Sequence, residues 1–377
     1  MSELKIGLLI PLSGPAGIWA PSSEACALLA AAEINAAGGI LDRPVRIVVG
    51  NAGFGRLQAA EEAASLIELE GVSAVGGMHP SDARASVISA IGGRVPYVYT
   101  PQYEGGENDL DVLAIGETAD ELMKPAIPWL IGHRNARRFF LVGNDYIWPE
   151  VSHRAARRII RSSGAEVVGN VLLPFGLTDH SRTFDMIRKA KPDVVLMYLL
   201  GQEAVDFNRA FCEAGLDRRH IRYSTATDET VIYGIGPDNL ENFYVSSCYL
   251  ANLRYRENDS FLENYRSSFG AHAPMPNAFG ESCFEGVHYF AQMAASYGSL
   301  AMKDVRKSRG DRMGFRGRRR TSRRVSDCGR KLIHIARADG IDLEHLATFR
   351  TLPPGLPPCG NHIMGQTRTM PVTMVFR

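Results

Sequence analysis

The chain has no apolar run of the 18 or more residues that a membrane-spanning helix needs, so the sequence predicts no membrane insertion. Its six cysteines form no CxxC pair, which argues against both a zinc site and a disulfide framework. From Met1 the chain passes directly into an apolar segment, without the basic and apolar regions of a secretory leader. We therefore expect a cytoplasmic protein without a metal or cofactor. The alternative is a periplasmic protein whose leader was omitted from the sequence.

Catalytic motifs are also missing. The sequence contains no GxSxG elbow, Walker loop, HExxH motif or EF-hand loop. Gly53-Phe54-Gly55 imitates the start of a dinucleotide fingerprint, but Gln58 occupies the position of the third glycine. Glu104, Asp145 and Glu229 offer carboxylates, yet no nucleophile and base accompany them. The sequence therefore favours a protein that is not an enzyme.

The net charge of +1 conceals one strongly basic segment. Residues 303–331 contain thirteen Lys and Arg and three Asp, a balance of +10 that leaves about −9 for the rest. We treat this stretch as an anomalous basic segment. It is interpreted as a solvated surface loop, with an insert, an RNA-binding arm and a stretch outside the native reading frame as alternatives. The mildly acidic remainder predicts no direct nucleic-acid partner.

What the chain does contain is an alternation of short apolar runs with helix-length segments. Strands are predicted at 5–10, 45–49, 72–77 and 96–100, with helices between them at 22–37, 56–70 and 81–91. A second set follows, with strands at 138–144, 166–173, 193–200 and 221–225 and helices at 119–131, 148–163, 181–189 and 203–214. Helices at 260–269 and 278–296 then return to the first set. This pattern predicts two doubly wound α/β lobes with a ligand cleft between them.

Aromatic and hydroxyl side chains cluster at the predicted carboxyl ends of these strands. Ser81 follows the third strand at a helix start, and the segment 97–105 carries Tyr99 and Tyr103. In the second lobe, Tyr146 and Trp148 follow the first strand. Aromatic walls with a few hydrogen-bonding groups suit a small neutral polar ligand, because a charged ligand would require an opposing charge.

These residues also carry a resemblance. The segments IGLLIPLSG (6–14) and AEINAAGGI (32–40) resemble the branched-chain amino-acid and amide receptors of the type I periplasmic-binding fold. The motifs YEG (103–105) and DYIWP (145–149) are most similar to the branch containing the cytosolic amide sensor that regulates aliphatic amidase expression, and its urea- and amide-receptor relatives. The resemblance covers about residues 4–300.

The resemblance implies two Rossmann-like lobes joined by a three-strand hinge. It assigns 1–117 and 251–335 to lobe I, with the basic segment 303–331 inside it, and 118–250 and 336–377 to lobe II. The three crossovers are expected near 116–118, 249–252 and 335–340.

The resulting hypothesis is a binding protein that closes on a small amide-like or urea-like ligand as a cytosolic sensor, with an antiterminator-type regulatory protein as partner. The alternative is the substrate-binding receptor of an ABC importer for branched-chain amino acids, amides or urea, whose partner is the permease. Glu229 leaves amino acids open as ligands, and homo-oligomerisation also stays open. The candidate ligand-binding residues are Ser81, Tyr99, Thr100, Gln102, Tyr103, Tyr146, Trp148, Gln202, Thr227, Glu229 and Tyr249.

Overall fold

The computed structural model describes residues 2–53, 55–304, 306 and 331–351, together with the backbone of two short strands at 314–316 and 322–324. Most of the anomalous basic segment, and residues 352–377 assigned to lobe II, therefore lie outside the described residues. The predicted division into two doubly wound α/β lobes is confirmed.

The first lobe is built on a five-stranded, all-parallel sheet. Its strands are β1 (Leu4–Ile10), β2 (Val45–Asn51), β3 (Ala74–Gly77), β4 (Tyr97–Tyr99) and β5 (Val112–Ala114), in the order β2-β1-β3-β4-β5. The helices that follow the strands are α1 (Ala20–Ala36), α2 (Arg56–Glu68) and α3 (Arg84–Ile91). β1 and β3 are apolar and almost wholly buried, as expected for a parallel sheet covered on both faces.

The second lobe repeats this arrangement around a seven-stranded sheet. Its parallel strands are β6 (Arg138–Asn144), β7 (Glu166–Leu173), β8 (Val194–Tyr198), β9 (Ile221–Ser224) and β10 (Phe243–Ser247). The helices are α4 (Ala119–Arg134), α5 (Ile147–Ser162), α6 (Ser181–Ala190), α7 (Gly201–Glu213) and α8 (Glu229–Ile235). α9 (Arg256–Phe269) and α10 (Ala278–Tyr297) then return to pack on α1 in the first lobe, as predicted.

The end of the described chain completes the second sheet. β11 (Gly314–Arg316) pairs with β12 (Ser322–Arg324) outside the two main sheets. β13 (Leu332–Asp339) and β14 (Asp342–Arg350) then add antiparallel strands, giving the order β14-β13-β10-β9-β8-β6-β7.

The third crossover differs from the prediction. Arg306 still pairs with Asp111 of the first lobe, whereas β13 hydrogen-bonds along its length with β14 and through residues 334–337 with β10. A strand paired on both sides belongs to one sheet, so no lobe boundary falls at residue 335. The chain crosses between residues 306 and 331 rather than at 335–340, and β13 belongs entirely to the second lobe.

Buried hydrogen bonds fasten the first and third crossovers together. Thr118 caps α4 through a capping box, in which its hydroxyl accepts from the Glu121 amide and Glu121 accepts from the Thr118 amide. The buried Lys331 ammonium donates to the Gly116 carbonyl at 2.8 Å and to Glu121 Oε2 at 2.9 Å. The start of β13 is thereby attached to the segment where the chain first leaves the first lobe.

Candidate ligand-binding cleft

The two lobes face one another with the carboxyl ends of their strands. Several side-chain hydrogen bonds join the lobes, and two of them lie at the cleft: Gln102 Nε2 donates to the Thr225 carbonyl at 2.8 Å, and Asn277 Nδ2 donates to Thr230 Oγ1 at 2.8 Å. Gln102 follows β4 and Asn277 caps α10, whereas Thr225 follows β9 and Thr230 lies in α8. The structure is therefore a closed arrangement in which the strand-end loops of both lobes enclose internal space.

One part of that space is an aromatic compartment. Its wall combines five aromatic rings and a histidine with small and aliphatic groups, and the lining residues are Ala16, Trp19, Met78, His79, Pro80, Ser81, Tyr99, Pro101, Gln102, Tyr146, Trp148, Leu200, Ala226 and Phe279. Both lobes contribute rings, so the compartment is complete only when the lobes are closed.

The rings are held by contacts on their outer sides. Tyr99 Oη donates to the His79 carbonyl at 2.6 Å and lies 3.4 Å from Ser81 Oγ. Trp148 packs edge-on against Tyr198, with ring centroids 5.5 Å apart. Such edge-to-face contacts restrict ring orientation. The Tyr99 and Trp148 rings are therefore each held in place by contacts within their own lobe.

The Arg84 side chain supports this wall from behind. Its guanidinium lies 5.0 Å from the Tyr99 ring centroid and 5.2 Å from that of Tyr103. It also forms buried ion pairs with Glu104 at 2.5 Å and with Glu107 at 2.7 Å. The arrangement fixes the loop after β4 against the start of α3.

The adjoining polar compartment shares Gln102, Ala226 and Phe279 with the aromatic one. Its other lining residues are Glu117, Leu122, Thr225, Thr227, Asp228, Ser247, Cys248, Ala278 and Ser282. Two of its polar atoms are buried without a partner among the described residues: Gln102 Oε1 and Thr225 Oγ1. The Asp228 carboxyl lies beside them and interacts with the Trp19 indole N–H. This compartment can therefore accept hydrogen bonds from a ligand.

Asp228 is the carboxyl group of this compartment. Its Oδ1 caps α8 by accepting from the Val231 amide at 3.1 Å, while burial raises its pKa to about 7. The next residue, Glu229, is buried behind it, and Glu229 Oε1 accepts from the Ala251 amide at 2.6 Å. Burial and the neighbouring Asp228 raise the Glu229 pKa to about 8. A ligand cation would favour ionisation of Asp228, whereas the empty site favours its neutral form.

The model of the periplasmic binding protein family matches residues 3–326. This chain belongs to the periplasmic binding protein family. It is 39% identical over 229 residues to Leu/Ile/Val-binding protein homolog 8 of Brucella abortus strain 2308 and to its Brucella suis counterpart, a match covering 57% of the chain. The match spans about 56% of the length of those curated relatives.

Solved members of the periplasmic binding protein class share the whole architecture. A solute-binding protein of an ABC transporter from Rhodopseudomonas palustris HaA2, in complex with p-hydroxybenzoic acid, superposes with a TM-score of 0.81 at 18% identity and covers 93% of this chain and 97% of its own. The Streptococcus pneumoniae branched-chain amino-acid binding protein LivJ, in complex with isoleucine, gives 0.80 at 19% identity, covering 94% and 100%. At such identities the likeness establishes the fold.

Six of the candidate residues of this periplasmic binding protein line the two compartments. Ser81, Tyr99, Tyr146 and Trp148 line the aromatic compartment and Thr227 the polar one, while Gln102 lies between them. Their assignment as ligand contacts stays a prediction, supported by their convergence from distant parts of the chain.

Five others are placed elsewhere. The Thr100 hydroxyl is directed into the first lobe, where it accepts from Ser282 Oγ at 3.1 Å. Tyr103 packs in the core beneath Arg84. Gln202 is exposed at the start of α7, and its amide donates to Asp206. The last two, Glu229 and Tyr249, are buried at the second crossover, outside the lining of either compartment.

Other lining residues had not been predicted. Trp19 lies in a short 3-10 turn, Pro15–Trp19, that precedes α1, and its ring centroid is 4.0 Å from that of Phe279. Phe279 lies in the first turn of α10, and a search limited to the loops that follow strands does not find it. Asp228 could have been found, since it stands between two candidates and has the N-cap residue type.

Among the described residues, no cluster of His, Cys, Asp and Glu could hold a metal ion. In the same part of the chain, no helix combines the length and the hydropathy needed to cross a bilayer.

Proposed function

We propose that this periplasmic binding protein is the substrate-binding receptor of an ABC importer, and that it closes on one small ligand. The observation that carries the proposal is the pair of joined compartments between the lobes, one aromatic and one rich in hydrogen-bond acceptors. The ligand would bury an apolar body against the rings and direct a polar end toward Asp228. Leucine-sized amino acids and small aromatic compounds match this description.

Two further points support this function over the amidase-regulating amide sensor. The curated relatives are named as Leu/Ile/Val-binding homologues, and the similar solved proteins cited above are named as transporter binding proteins. The proposal implies a permease as partner and a periplasmic location. One observation also supports the amide-sensor function: unpaired acceptors beside an aromatic wall suit a primary amide.

A ligand screen tests the proposal directly. Thermal shift followed by isothermal titration would compare L-leucine, L-isoleucine, L-phenylalanine, benzamide, benzoate and urea. We expect at least one apolar ligand to bind with one-to-one stoichiometry and to be recovered unchanged. Failure of every such compound to bind would contradict the proposal, and turnover of the bound compound would contradict a purely binding role.

The importer and sensor functions make different predictions about the cell. A receptor would fractionate with the periplasm and stimulate uptake of its ligand by a permease encoded nearby. A sensor would remain in the cytoplasm and form an amide-sensitive complex with an antiterminator. A cytoplasmic location together with an amide-sensitive antiterminator complex would favour the sensor function over the importer function. The proposed binding site would be unaffected by that result.

A further inference from the structure

Gln102 has an unusual position, because one side chain contacts both compartments and both lobes. It leaves the first lobe after β4, lines the aromatic and polar compartments, and reaches the Thr225 carbonyl of the second lobe at 2.8 Å. Its side chain is therefore part of the ligand site and part of the contact that closes it.

The contact with Thr225 fixes the orientation of the Gln102 amide. A backbone carbonyl only accepts hydrogen bonds, so the Gln102 atom that faces it is the nitrogen. Gln102 Oε1 therefore takes no part in the contact with Thr225, and it is buried without a partner among the described residues. A buried acceptor with no donor is unfavourable, so closure without a ligand leaves a defect at this atom.

The rest of the polar compartment presents the same chemistry. Thr225 Oγ1 is also buried and unpartnered among the described residues, although a threonine hydroxyl can donate as well as accept. The Asp228 carboxyl lines the same space. Glu117 adds a second carboxyl group to the lining. A carboxylate ligand would face the Gln102 oxygen and two carboxyl groups here, whereas a ligand N–H group would satisfy the Gln102 oxygen.

We infer that Gln102 couples closure to recognition of an N–H group on the ligand: its nitrogen holds the second lobe while its oxygen accepts from the ligand. This deepens the proposed function and rests on it. The ligand class is a small apolar compound whose polar end is a primary amide or an ammonium group. Carboxylates with the same apolar body are disfavoured.

Three probes that share one ring test this inference: benzamide, benzylamine and benzoate. Isothermal titration with the full chain should give tighter binding of benzamide or benzylamine than of benzoate. Gln102→Met retains side-chain length but removes both polar atoms, and should reduce that preference by about tenfold, the value of one good hydrogen bond. Gln102→Glu keeps an acceptor but no donor for Thr225, so all affinities should fall while the preference for benzylamine persists.

Thr230→Val is the matched control. It removes the hydrogen bond from Asn277 Nδ2, which also joins the lobes at the cleft, and Thr230 lines neither compartment. This variant should weaken the three probes by a similar factor and leave their ratio unchanged. Circular dichroism would establish that each variant is folded.

The outcomes separate the two proposals. If the probes bind but benzoate is preferred, or if Gln102→Met leaves the ratio unchanged, the role of Gln102 is overturned and the receptor function stands. If no compound binds, the receptor function is overturned and the inference with it.

Discussion

Tyr146 of the second lobe faces the aromatic residues that the first lobe contributes to the compartment. Its ring lies 6.2 Å from Trp148 and 5.6 Å from Phe175 by centroid distance. Burial raises its pKa well above the usual value, with further contributions from Tyr99 and Asp82 across the cleft. At the scale of residues, ligand affinity should therefore depend on this ring.

We predict that Tyr146→Ala weakens binding of the ligand found in the screen by about 1–3 kcal/mol, because apolar and aromatic burial is lost. Tyr233→Ala is the control, since Tyr233 is 68% exposed on α8 and should change nothing. Isothermal titration measures both. Equal affinities for wild type and Tyr146→Ala would remove Tyr146 from the site.

The buried acids give the protein a definite pH dependence. Asp228 and Glu229 have folded-state pKa values raised to about 7 and about 8, so the folded protein holds protons that the unfolded chain releases. Their contribution to stability is complete below the unfolded pKa and is lost as pH rises through the folded values. The pKa values of His79, His153 and His334 are lowered to about 4, 4 and 3. These histidines lower stability as the pH falls, and they do so only below the ordinary histidine pKa of 6.5.

We therefore predict that the ligand-free protein loses unfolding free energy between pH 6.5 and 8. Asp228→Asn and Glu229→Gln should each recover about 1–2 kcal/mol at pH 8. Both replacements keep the hydrogen-bond acceptor, for the Val231 and Ala251 amides respectively, and remove only the ionisable group. Urea unfolding at the two pH values measures the effect. A flat wild-type profile over this range would contradict the buried acid pair.

The sequence locates the cleft better than it identifies individual contacts. Residue type and position after a strand were enough to bring Tyr99, Tyr146 and Trp148 to the aromatic compartment. The same argument cannot say which way a side chain rotates, so it also selected Thr100 and Gln202, which hydrogen-bond within their own lobes. Rotation is decided by tertiary partners that lie far away in the sequence.

At the scale of elements, two strands of the second lobe were predicted to the residue. The bounds of β6 and β7 coincide with the predicted 138–144 and 166–173. The three-residue β5 and the edge strand β14 were not predicted, because they carry too few apolar residues for a periodic signal. β10, a buried interior strand, was also missed. The pattern of β13 was recognised but divided between the lobes at residue 335, because local periodicity does not reveal which strands pair.

The hinge elements depend on a buried charge. Lys331→Met should destabilise the protein by about 3–5 kcal/mol, since it leaves Glu121 and the Gly116 carbonyl without their buried donor. Lys124→Met removes an exposed pair with Asp120 and should cost about 1 kcal/mol or less. Urea unfolding compares the two variants. A double-mutant cycle with Glu121→Gln isolates the pair, and a coupling energy near zero would refute its role in the hinge.

At the scale of the whole molecule, closure requires that backbones of different lobes approach closely. Gly201 opens α7 in the second lobe with φ +33°, and a Cβ built on it would collide with the Pro15 carbonyl oxygen of the first lobe. Any side chain at this position would therefore separate the lobes without disturbing either core.

We predict that Gly201→Ala lowers ligand affinity by tenfold or more and abolishes ligand-induced compaction in small-angle scattering, because it holds the cleft open. Gly176→Ala is the matched control: its φ is +77°, and a Cβ there would meet nothing within 4 Å. Both substitutions place a side chain in the left-handed region, at about 1 kcal/mol of strain, so they should lower thermal stability alike. Only Gly201→Ala should uncouple binding from closure. Normal compaction in that variant would mean that the lobes need not meet at Pro15 for the receptor to close.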